Sequence, residues 1–118
     1  MPNDKTKLGQ LGEKLAAKYL KRSGYQILKA NYRRREGEID LICRKNNLII
    51  FVEVKTRTGT GFGWPEEAVT ESKIEKIEQS ARHYLQDNNL NLPWQIDVIS
   101  LIVSPQNKII DLRHFQNT

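Results

Sequence analysis

Two segments rich in Ile, Leu, Val and Phe, Gly37 to Lys45 and Leu48 to Arg57, are separated only by Asn46-Asn47. Asparagine tolerates the left-handed backbone of a tight two-residue turn, so the pattern predicts an antiparallel hairpin. With Lys45 facing Leu48, Asp40 falls across from Glu53 and Glu38 across from Lys55. These four charged side chains share one face with Ile42 and Phe51, while Ile39, Leu41, Cys43, Ile50, Val52 and Val54 point to the other. A strand pair apolar on both sides belongs in the middle of a sheet. Opposed residues have Cβ atoms about 4.5–5.5 Å apart, so the carboxylates of Asp40 and Glu53 repel unless a divalent cation or Lys55 lies between them.

The flanking pattern is regular. Leu8, Leu11, Leu15 and Tyr19 recur at helical spacing, Ala16 and Leu20 widen the stripe, and Lys7, Lys14, Lys18 and Lys21 gather opposite it. This predicts an amphipathic helix with a basic outer face, stopped by Gly24. Tyr25 to Arg35 is predicted as a strand, and Thr56 to Pro65, with Gly59, Gly61 and Gly63, as a loop. A second helix is expected from Pro65 to about Asp87, with Ile74, Ile77, Ala81, Tyr84 and Leu85 buried and Asn88-Asn89 ending it. Trp94 to Val103 and Ile109 to Phe115 are the closing strands. The order is helix, three strands, helix, two strands: an α/β class with helices covering a central sheet, in one domain over residues 1–118.

Composition narrows the function. No apolar run approaches the roughly 20 residues of a membrane span, and no apolar stretch follows the charges of the first residues, so a membrane protein or secreted precursor is not expected. Cys43 is alone, and His83 and His114 lack metal-ligand spacing, which leaves no disulfide and no thiolate zinc cage; a cytoplasmic location is expected. The net charge of +5 is uneven. Residues 1–57 hold 14 basic and 6 acidic residues, and residues 58–118 hold 5 and 8. Such a basic half favours a polyanionic partner through counterion release, although basic surfaces also occur on proteins that bind no nucleic acid.

From the residues alone, the acidic pair is either a salt-bridged cluster on an exposed sheet edge or a metal site. Two carboxylates on adjacent strands are hard oxygen ligands suited to Mg²⁺, whose waters a substrate phosphate replaces. That chemistry is phosphodiester hydrolysis: the metal lowers the pKa of a bound water, and Lys55 orients the nucleophile or holds a phosphate oxygen.

Asp40 followed by Glu53-Val54-Lys55 resembles the PD-(D/E)xK nuclease signature, and the element order resembles that superfamily's restriction-endonuclease-like core, with its central mixed sheet. The resemblance is closer to the YraN family of bacterial proteins, which are similar to archaeal Holliday-junction resolvases. It rests on Gly12-Glu13, Gly24-Tyr25, Asn31, Gly37-Glu38-Ile39-Asp40-Leu41-Ile42, Phe51 through Arg57, Lys73 and Arg113-His114. It implies a metal-dependent endonuclease acting on branched or distorted DNA, with Mg²⁺ or Mn²⁺ held by Asp40 and Glu53, Lys55 as the catalytic lysine, and Glu13 as the acid supplied by the first helix. Glu13 also lies at the border of the apolar stripe on a helical wheel; its other reading is an ordinary helix-surface glutamate. Ile39 stands where the signature has proline, and Glu38 has no settled role. Junction resolution needs two symmetric cuts and so expects a homodimer, whereas a monomer suits a flap or single-strand nuclease. The alternative function is a non-catalytic nucleic-acid-binding accessory protein; a third is an interaction module whose basic helix meets an acidic partner.

Arg33-Arg34-Arg35 before the acidic site and Arg57 after it read as a phosphate clamp, with solubilising strand ends as the other reading. Lys73 reaches a phosphate or is a helix-surface lysine. Phe62 and Trp64 read first as aromatics that anchor the loop, and otherwise as groups that stack on an unpaired base or wedge a junction. His83, His114 and Cys43 read as ordinary packed or surface residues, and Asp97 as a supporting residue behind the site.

Overall fold

The computed structural model describes residues 4–61 and 63–118, with side-chain environments from Thr6 onward, so Phe62 lies outside the described residues. Its elements are α1 (Asp4–Arg22), β1 (Gln26–Arg33), β2 (Glu38–Lys45), β3 (Leu48–Arg57), a 3₁₀ turn (Pro65–Ala68), α2 (Glu71–Asp87), β4 (Trp94–Val103) and β5 (Ile109–Phe115). Strand order in the five-stranded sheet follows chain order. All neighbours are antiparallel except β3 and β4, which run parallel and are joined by the α2 crossover that such a pair requires.

The hairpin forms in the expected register, with Asn46 at φ 55°, Lys45 against Leu48, and Leu41 against Val52. β3 is the middle strand and β2 is covered by β1, which rules out the exposed-edge reading of the acidic pair. α1 covers one face of the sheet: Ala16 and Leu20 pack on Leu41, Cys43, Ile50, Val52, Val54, Ile99 and Leu101. α2 covers the other: Ile77, Ala81, Tyr84 and Leu85 pack on Ile39, Ile42, Ile49, Phe51 and Ile96. Ile39 therefore lies on the α2 side rather than with Leu41 and Cys43. The alternation breaks at Asp40, between them.

Two helices differ from expectation in detail. The buried centre of α1 is Gly12, Ala16 and Leu20, with Leu11, Leu15 and Tyr19 half-buried beside it. Small residues face the sheet because the helix approaches it closely: a Cβ at Gly12 would collide with the Thr56 hydroxyl of β3. Gly24, at φ 91°, ends the helix as predicted. The second helix does not run unbroken from Pro65. The Pro65–Ala68 turn comes first, and Thr70, extended at ψ 166°, restarts the chain as an N-cap whose hydroxyl accepts the Lys73 N–H at 3.2 Å. Ser80, absent from the predicted stripe, is fully buried and donates to the Gly37 carbonyl at 2.9 Å, fixing α2 on the start of β2. Among the described residues, no helix is long and apolar enough to cross a membrane.

Candidate functional site

The β2–β3 pairing ends at Leu41 and Val52, three residues short of where β2 starts and five short of where β3 ends. Beyond it the Val54 N–H donates to Asp40 Oδ2 at 2.8 Å, so a side-chain carboxylate takes the place of a backbone carbonyl. On the other side of Asp40, β1 is irregular too. Asn31 adopts φ 53° between the Ala30–Leu41 and Tyr32–Ile39 pairs. The sheet is thus opened around Asp40 from both neighbours.

Two clefts meet there. One, of about 320 Å³, lies under α1 and is lined by Gln10, Glu13, Asn31, Arg33, Val54 and Lys55. The other, of about 440 Å³, lies at the start of α2 and is lined by Gly37, Thr70, Ser72, Lys76 and Ile77. Glu38, Asp40, Glu53 and Lys73 line both.

Electrostatics show what the geometry asks for. Glu53 is only 3 % exposed, and its Oε2 lies 2.9 Å from Lys73 Nζ. That lysine is the cation the structure sets against the buried carboxylate. Burial pushes the Asp40 carboxyl up to about 9, reinforced by its hydrogen bond with Glu53 and by that neighbour's charge, against the pull of the Val54 N–H. The pair is stable only with a shared proton or a cation. Burial and the adjacent Lys73 lower the Lys55 ammonium, opposed by Glu53 and Asp40. Lys73 moves the other way: burial would lower it, but contact with Lys55 and Glu53 raises it. Glu13 is raised by burial and by the charges of Glu38 and Glu53, and is held by a hydrogen bond from the Asn31 side chain.

The structure brings Glu13, Asp40, Glu53, Lys55, Lys73 and Arg33 to one cleft. It does not bring the rest of the basic run there. Arg34 pairs with Glu36 and Asp87 near the end of α2, at 3.5 and 3.6 Å, and Arg35 and Arg57 are exposed outside both clefts. Glu38 leans 3.7 Å toward Arg33 rather than pairing with Lys55. Asp97 is not behind the site. On the α1 side of the sheet its buried carboxylate accepts from His114 Nε2 at 2.7 Å, from Gln95, and from the Asn117 N–H, while the Tyr19 hydroxyl meets His114 Nδ1 at 2.8 Å. His114 is thereby a packed residue, as read, and Cys43 is buried.

Two site features escaped the sequence reading. Lys73 as the partner of Glu53 depends on a crossover no local pattern reveals. Asn31 had a signal: an asparagine inside a strand, across from Asp40, is a natural left-handed residue.

Two adjacent carboxylates, half-buried Asp40 and buried Glu53, are a hard-oxygen donor set that fits a cation such as Mg²⁺. Among the described residues, no three His, Cys, Asp or Glu side chains converge to hold a metal. Glu13 lines the same cleft as Asp40 and Glu53.

A mixed five-stranded sheet between two helices, opened around an acidic pair with two lysines, defines an α/β domain of restriction-endonuclease-like order. The model of the uncharacterised protein family UPF0102 matches residues 12–101, and the chain belongs to that family, the YraN family of its motifs. A UPF0102 protein of Syntrophomonas wolfei is 50% identical over 97 residues, covering 81% of this chain and 84% of its own. One from Caldicellulosiruptor saccharolyticus is 36% identical over 115 residues, covering 97% and 98%, and one from Chloroherpeton thalassium is 40% identical over 107 residues, covering 90% and 83%.

Proposed function

We propose that the protein is a metal-dependent endonuclease that hydrolyses phosphodiester bonds in branched or distorted DNA. The observation that carries this reading is the pair of buried Glu53 and half-buried Asp40, opened to solvent through a cleft that also holds Lys55. Burying two acids side by side is destabilising unless a cation or proton completes them, and a cleft is where a functional cation is useful. Asp40 and Glu53 would hold Mg²⁺ or Mn²⁺; two carboxylates with waters and a substrate phosphate are a common set for Mg²⁺. Once bound, that ion would activate water and offset charge on the phosphate.

The chain's own groups do the rest. Lys55, its ammonium destabilised by burial and by Lys73, orients the nucleophile or holds a phosphate oxygen. Glu13, fixed by Asn31, supports the rim of the site, and Arg33 meets the DNA backbone at its mouth. Lys73 balances Glu53 and would have to yield that carboxylate to a bound ion.

One observation favours a second reading, an accessory protein that binds nucleic acid without cutting it: Lys73 already neutralises Glu53. Purified protein incubated with duplex, single-stranded, flap and four-way-junction DNA plus Mg²⁺ or Mn²⁺ separates the two. The nuclease reading expects cleavage by the wild type that is lost in folded Asp40→Ala and Lys55→Ala. Binding without cleavage across the panel supports the accessory reading. Calorimetry should give divalent-ion binding that weakens strongly in Glu53→Ala; equal affinity removes Glu53 as a ligand. A solution mass distinguishes the homodimer that junction resolution needs from a monomer.

A further inference from the structure

The loop after β3 returns to the sheet through Pro65, the residue of its 3₁₀ turn that is buried, so the loop is anchored without Trp64. Trp64, the residue before, remains 37 % exposed. Its indole is not loose. The Arg113 guanidinium lies 3.5 Å from the ring centroid, and Arg113 is itself held by Glu66 and Asp111, each at 3.1 Å. Glu66 is in turn fixed by Ser100 of β4 at 2.7 Å. An exposed aromatic ring has been given a rigid backing.

The same residues locate the ring relative to the cleft. Lys55 is registered against Ser100, and Ser100 against Arg113. Neighbouring strands are about 4.8 Å apart, so Arg113 stands about 10 Å from Lys55 across the sheet. With bases stacked at about 3.4 Å each that is about three nucleotides, and fewer where the strand is unstacked. The local charge decides what fits there. Two carboxylates already consume the Arg113 charge, which makes the spot unfavourable for a phosphate and leaves a flat, polarised, uncharged face.

Resting on the nuclease reading, we propose that Trp64 is a stacking platform for an unpaired DNA base a few nucleotides from the scissile phosphate. This defines the substrate further: the strand leaving the cleft toward β5 is single-stranded or unstacked there, since a base within an intact duplex has no free π-face to offer.

The test is intrinsic fluorescence without divalent ions, comparing wild type with Trp64→Phe, so that Trp94 contributes equally to both. Saturable quenching of the wild type is expected with a short single strand or a duplex bearing a single-stranded tail, little with a blunt duplex, and none above background in Trp64→Phe. Trp64→Ala is expected to bind the tailed DNA about tenfold more weakly and the blunt duplex unchanged, with Trp64→Phe near wild type. Quenching that persists in Trp64→Phe, or equal weakening on tailed and blunt DNA, overturns the platform. Cleavage of tailed DNA without Trp64-dependent quenching overturns the platform alone. Quenching as expected without cleavage supports the platform and overturns only the nuclease reading.

Discussion

Asp40 holds the Val54 N–H and stands beside the buried Glu53, and both facts have consequences for stability. The unfolded chain ionises this carboxyl near its ordinary 3.8, the folded chain only at about 9. Between those values the folded state binds the extra proton, so the stability of the metal-free protein falls as pH rises through that window. Asp40→Asn cannot lose a proton there. Its melting temperature in a chelator is expected to exceed the wild type's at pH 8, with the gap closing toward pH 4; melting curves across that range check it, and a variant no more stable at pH 8 contradicts the assignment. Gly12 makes a steric prediction. Gly12→Ala places a methyl against the Thr56 side chain and is expected to lower stability by about 1–3 kcal/mol, partly relieved by adding Thr56→Ala. Denaturant unfolding of the single and double variants measures the coupling. Because Glu13 is the next residue, the same substitution displaces it from the cleft.

Among the elements, α2 delivers Lys73 to Glu53 from its first turn, and the Thr70 cap sets where that turn begins. Thr70→Ala is expected to lower stability by about 1 kcal/mol, seen as a drop of a few degrees in melting temperature. The hairpin was legible because Asn46-Asn47, set directly between two apolar segments, specifies both turn and register. β4 and β5 were legible as segments rich in Ile, Leu and Val on either side of Ser104-Pro105-Gln106-Asn107. The split at Thr70 was not, because helical spacing continues through Glu66 and Glu67 and only the cap's hydrogen bond and extended backbone distinguish it. Within the site, Asp40, Glu53 and Lys55 sit on adjacent strands joined by a short turn, where sequence distance maps directly onto space. Lys73 joins Glu53 across a crossover, and Arg113 joins Glu66 and Trp64 across two strands, so no local pattern relates them. The break at Asp40 was hidden for a different reason: period-two alternation assumes an uninterrupted ladder, and Asn31 and Asp40 interrupt it.

Across the whole molecule, the charge imbalance becomes a surface with an acidic centre. Lys7, Lys14, Lys18 and Lys21 of α1 are exposed, and Arg33 borders the cleft that holds Asp40 and Glu53. DNA affinity is expected to fall with salt, and Arg33→Ala to reduce the slope of log affinity against log salt by about 1; titrations at several ionic strengths check this, and a salt-independent affinity contradicts a backbone-contacting role. The strand order also has a consequence during synthesis. β3 is the middle of the finished sheet, yet its second neighbour, β4, is completed only after the 46 residues from Thr58 to Val103. At about 5–20 residues per second, a strand apolar on both faces waits with an unpaired edge for about 2–9 s on the ribosome. A chain ending at Arg57 is therefore expected to aggregate or be retained by a holding chaperone, and one ending after Val103 to remain dispersed; sedimentation of the two released chains tests it.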